Sequence, residues 1–93
     1  MTSDLAQTAD SVAAAALSVP GVTDLHSGAF GEVGTYLPGR RVRGVRLADD
    51  VTEVHVVLRI GAAVLPTAEA VRAAVAPLVS TRVDVFVEDV DAS

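Results

Sequence analysis

The sequence predicts an α+β domain in the order α-β-β-β-α-β. Two helices should pack on one face of a small mixed sheet of three to four strands. Three observations predict it. Apolar residues recur at helical spacing in two segments; they alternate at strand spacing in the later segments; and every alternating run shows a single apolar face. With 93 residues there is room for one core, so residues 1–93 form one domain, ordered from about 3 to 90.

The first helix covers residues 3–18. Ser3 stands as its N-cap with Asp4 behind it, and Leu5, Ala9, Val12 and Ala16 form its apolar stripe. Val19-Pro20-Gly21 ends it, because proline lacks the amide hydrogen that a further turn needs. Val22 to Leu25 follows as a short strand. Residues 27–40, with Gly28, Gly31, Gly34, Pro38 and Gly39, read as a long loop holding at most a helical turn.

The segment 41–48 breaks strand alternation, since Val42 and Val45 are three apart. A bulge at Gly44 restores Val42, Val45 and Leu47 to one face and gathers Arg41, Arg43 and Arg46 on the other. A turn at Asp49-Asp50 then pairs Val45 with Val54 and Arg46 with Glu53, apolar on apolar and plus on minus. In the next strand Val54, Val56, Leu58 and Ile60 face inward, with Glu53, His55, Val57 and Arg59 outward. The second helix opens at Pro66-Thr67, capped by Thr67, and runs to about Ser80. Val71, Val75, Leu78 and Val79 form its buried stripe, and Pro77 distorts its last turn. The last strand turns Val83, Val85 and Val87 inward and Asp84, Phe86 and Glu88 outward, parallel to residues 53–60.

Composition narrows function. Half the chain is apolar (51%), mostly Val and Ala, and Phe30, Tyr36 and Phe86 are the only aromatics. A net charge of −5 argues against nucleic-acid binding, which requires a basic footprint. All seven basic residues are Arg, and there is no Cys, hence no disulfide or thiolate metal site. The start Met1-Thr2-Ser3-Asp4 lacks a signal peptide's basic region. The run Val12 to Leu17 is far shorter than the ~20 residues of a membrane span. A cytoplasmic location is therefore expected.

Chemical motifs are sparse. His26 beside Asp24 and Ser27 supplies the residue types of nucleophilic catalysis without a nucleophile elbow, and reads as a polar cluster at a loop edge. His26 and His55 lack metal-ligand spacing and read as satisfied surface imidazoles, so neither metal nor cofactor is expected. Gly28-Ala29-Phe30-Gly31 matches the GXXG of phosphate-clamping loops, but no base follows until Arg40, so turn geometry is the reading.

Several stretches together resemble the alkaline shock protein twenty-three family: Ala13-Ala14-Ala15-Ala16-Leu17-Ser18-Val19-Pro20-Gly21-Val22, Gly39-Arg40-Arg41-Val42-Arg43-Gly44-Val45, Glu53-Val54-His55-Val56-Val57-Leu58 and Val83-Asp84-Val85-Phe86-Val87-Glu88-Asp89-Val90. The likeness covers roughly residues 8–90 and is to the short, single-domain actinobacterial type. It implies a non-enzymatic envelope stress protein of Gram-positive bacteria, a scaffold that self-associates and is recruited to the membrane by a small membrane-anchored protein. The alternatives are a small ligand- or metal-binding module using the 27–40 loop, and a minor hydrolase using His26. The open sheet face, with Arg41, Arg43, Arg46, His55, Val57 and Phe86, is the expected protein interface, having an apolar centre and a charged rim.

Overall fold

Strand β5 (Val51–Arg59) is the axis of the domain, because its inward residues Val54, Val56 and Leu58 are wholly buried. The computed structural model describes residues 4–91. Around β5 stand α1 (Asp4–Leu17), β1 (Val22–Leu25), β2 (Gly34–Leu37), β3 (Arg40–Arg43), β4 (Val45–Leu47), α2 (Val64–Val75) and β6 (Arg82–Asp91). This is the expected α+β arrangement, with a mixed four-stranded sheet and a second sheet of two strands.

β6 runs parallel to β5 along its whole length. The other edge of β5 is shared end to end by two antiparallel strands: β4 lies against residues 52–54 and β1 against residues 56–58. The register between β4 and β5 matches the expected one, with Val45 on Val54 and Arg46 on Glu53. The core lies between this sheet and both helices, joining Ala9, Val12 and Ala16 of α1 to Val71 and Val75 of α2.

Gly44 is the corner of the fold. It sits at φ +81° between β3, which pairs with β2, and β4, which pairs with β5. Its N–H donates to Val33 O (3.0 Å), and its carbonyl accepts from His55 N–H (2.9 Å). His55 O in turn accepts from His26 N–H (2.9 Å), so the ends of β1 and β4 meet at residue 55. The expected bulge is thus a transfer of the chain from one sheet to the other. Val42 and Val45 are both buried as a result.

Other expectations are corrected. The 27–40 segment is not all loop: Gly34–Leu37 pairs antiparallel with Arg40–Arg43, and buried Thr35 donates its hydroxyl to Val45 O (2.6 Å). Helix α2 begins at Val64, with extended Ala63 at its N-cap and no side-chain cap. Pro66 falls in the first turn, where its missing N–H has no helical partner, so the helix can begin before it. Thr67 is a buried position of α2 rather than its cap. Leu5 and Leu78 are half-exposed on the rim of a groove, and Ile60 is exposed beyond the end of β5. Pro77 does convert the last turn, into a 3-10 turn at Ala76–Leu78. The Ser3 cap lies outside the described residues.

Candidate protein-interaction surface

The six expected interface residues divide between two sheets. On the main sheet, Arg46 faces Glu53 (3.9 Å), and Arg82 pairs with Asp84 (3.4 Å). From the hairpin, Arg43 reaches Asp24 of β1 (2.8 Å). Val57 is half-buried between Asp24 and Asp89, its neighbours in register.

His55 corrects the expectation of an exposed imidazole, being only 6% exposed. Phe86, next to it in register on β6, stacks on its ring with centroids 4.4 Å apart. Its Nε2 lies 3.1 Å from Glu53 Oε1, and its Nδ1 is hydrogen-bonded to Glu88 Oε2. Glu88 reaches this position because the β5–β6 register slips between Val56/Val87 and Val57/Asp89, leaving Glu88 as the extra residue of a bulge. The two carboxylates approach different ring nitrogens. Among the described residues, no group of three or more His, Cys, Asp or Glu side chains could hold a metal ion.

His26 is separately engaged, its Nδ1 accepting Gly28 N–H (2.9 Å). The Asp24 carboxylate accepts from Leu25 N–H (2.8 Å) and from Arg43.

Arg41 belongs to a different neighbourhood. On the hairpin it is the cross-strand partner of Tyr36, its guanidinium carbon 5.7 Å from that ring's centroid. It also donates to Gly31 O (2.9 Å), and the Tyr36 hydroxyl donates to Glu32 O (3.4 Å). Both side chains therefore tie the hairpin to the loop carrying Phe30. That loop is a closed turn, with Gly31 N–H donating to Gly28 O (3.1 Å), Val33 N–H to Ser27 O (2.8 Å), and both glycines at positive φ. Phe30 projects from its tip, 91% exposed, and Tyr36 is 63% exposed.

Arg40 points elsewhere, making two hydrogen bonds to Asp10 of α1 (2.8 and 3.0 Å). These bonds hold the Asp10 carboxyl below its ordinary range and raise Arg40 above its own. The exposure of Phe30 and Tyr36 was not foreseen because a loop reading gives its side chains no face. The usable signal was an aromatic bracketed by Gly28 and Gly31, with a second aromatic shortly after.

Comparison of the chain with protein-family models, curated proteins and solved structures found no match. No helix among the described residues is long and apolar enough to cross a membrane.

Proposed function

We propose that this chain is a non-enzymatic interaction module, a scaffold of the envelope stress response. In this reading it is cytoplasmic, self-associates, and is brought to the membrane by a small membrane-anchored partner. The resemblance to the alkaline shock protein twenty-three family supplies the process. The observation that carries an interaction role is the corner formed by Phe30, Tyr36 and Arg41. Aromatics and arginine are the residue types that dominate binding energy at protein interfaces. Here Phe30 stands on a loop fixed by its own hydrogen bonds, and Tyr36 and Arg41 on the hairpin tied to it, so little ordering entropy remains to be lost on binding.

In this reading the interface lies away from Phe86, which is already stacked on His55. The test is light scattering on the purified protein, together with co-sedimentation with membranes from the source cell. Phe30→Ser and Arg41→Glu should each weaken assembly or membrane capture by ~2 kcal/mol, a hot-spot magnitude. The reading fails if the wild type stays monomeric and in the supernatant, or if both variants assemble and sediment as it does.

A further inference from the structure

Among the described residues no strand lies beside the outer edge of β6, which pairs with β5 on its other side. The groups it presents follow from the ladder. His55 donates its backbone N–H to Gly44 and accepts at its C=O from His26, so Val54 and Val56 turn theirs toward β6. In a parallel pair, the residue opposite an inward-bonding one points away. Val83, Val85 and Val87, opposite Thr52, Val54 and Val56, therefore face the open edge. One contact confirms this parity: Arg72 of α2, itself held by Glu69 (2.7 Å), donates from Nε to Val83 O (3.2 Å). Arg72 closes the start of the edge, and the bulge at Glu88 ends its regular stretch.

We infer that the β6 edge at Val85 and Val87 is a strand-addition site for an extended basic segment of another protein. This goes beyond the aromatic corner and does not depend on it. Backbone pairing along an open edge gives affinity without a preformed pocket. Charge selects the occupant. Asp84 and Glu88 are engaged by Arg82 and His55, but residues 82–91 still hold four acids against one Arg, a net −3, and the whole chain carries −5, so the edge attracts a basic segment by its net charge rather than by a bare carboxylate. A second copy of β6 would bring the same acids to the pairing, and like charges across a strand pair oppose it. A strand bearing arginine or lysine on alternate positions meets the opposite charge.

The experiment uses fluorescence anisotropy with the whole chain and a labelled hexapeptide alternating arginine and valine. Two further peptides serve as comparisons, one N-methylated on alternate residues and one with glutamate in place of arginine. The parent peptide should bind, more weakly as salt rises. The N-methylated peptide should bind roughly ten-fold or more weaker, because it cannot complete the ladder. The glutamate peptide should not bind. Val85→Pro removes an edge-facing N–H, which an edge strand tolerates, and alters a side chain packed on the core; the folded variant should show binding reduced by a similar factor. Equal binding of the N-methylated peptide would overturn strand addition in favour of nonspecific charge attraction, whether or not Val85→Pro folds. Wild-type binding by a folded Val85→Pro would move the site off this edge. A concentration-dependent dimer abolished by Val85→Pro would make a second copy the occupant and refute the basic segment.

Discussion

Replacing Gly44 with alanine probes the corner on which both sheets depend. Two costs add at this position. At φ +81° an L-residue occupies the left-handed region, which costs about 1–2 kcal/mol. A Cβ there would also lie 2.8 Å from the Leu25 Cβ, 3.0 Å from His26 N and 3.0 Å from His55 O. Two of these neighbours are backbone atoms joined to each other by a hydrogen bond, and Gly44 is itself bonded to Val33 and His55. Nothing there is a flexible side-chain end that can swing aside, so the overpacking cost of about 1–3 kcal/mol applies as well. Gly44→Ala should therefore destabilise by roughly 2–5 kcal/mol, a large share of the ~5–15 kcal/mol that holds a small domain folded. Gly39→Ala is the matched control. It has a similar φ of +77° but open space around the added Cβ, and should cost only about 1 kcal/mol. In urea, with a slope of roughly 1 kcal/mol per molar, the midpoints should fall by about 2 M or more for Gly44→Ala and about 1 M for Gly39→Ala. A Gly44→Ala midpoint no lower than that of Gly39→Ala, at unchanged slope, would refute the packing argument.

The remaining predictions concern the charged and aromatic contacts. Asp10 is depressed by its hydrogen bonds to Arg40, so the pair contributes stability above the unfolded carboxylate pKa and loses it as pH falls through the lower folded value. Arg40→Gln should accordingly lower the melting temperature slightly at neutral pH, by an amount that shrinks as pH falls below the ordinary carboxylate range. The neutral-pH difference should shrink in high salt because both groups are exposed. Thermal melts of both proteins across pH check this, and a difference that persists in acid would contradict it. Phe86→Ala removes the ring stacked on His55 and should cost about 1–3 kcal/mol in urea unfolding. An unchanged midpoint would mean that the stack contributes nothing.

Much of the fold was legible because patterns at different levels agreed. The β4–β5 register followed from Val45, Arg46, Glu53 and Val54, since a one-residue slip would have opposed apolar to charged side chains. The irregularity at Gly44 was readable from the three-residue spacing of Val42 and Val45, although spacing alone cannot distinguish a bulge from a passage between sheets. β2 was hidden because Gly34-Thr35-Tyr36-Leu37 is short and flanked by glycine and proline, and its strand character comes from pairing with β3. The burial of His55 was not legible either. Alternation assigns a side chain to a face, and whether that face is covered depends on Phe86 and Glu88, more than thirty residues away in sequence. Likewise, no local signal marks Glu88 as a bulge residue, because the register slip is a property of two strands.

The separation of sheet face from corner bears on where binding energy can come from. On the face, Arg43, Arg46, Arg82 and His55 already have carboxylate partners within the chain. Each exposed pair contributes under ~1 kcal/mol to folding. A protein covering such pairs must desolvate them, and the charges it would recognise are occupied, so the net gain there is small. At the corner, burying Phe30 takes an exposed ring out of water and breaks no internal bond, while Arg41 stays anchored to Gly31. The two regions should therefore respond oppositely to substitution. Phe30→Ser should leave the urea midpoint within about 0.5 kcal/mol of wild type, as surface changes do, yet disturb assembly. Glu53→Gln, which weakens contacts to both Arg46 and His55, should lower the midpoint and leave assembly of the folded protein intact. The reverse pattern would locate the interface on the sheet face and make the corner a solvated turn.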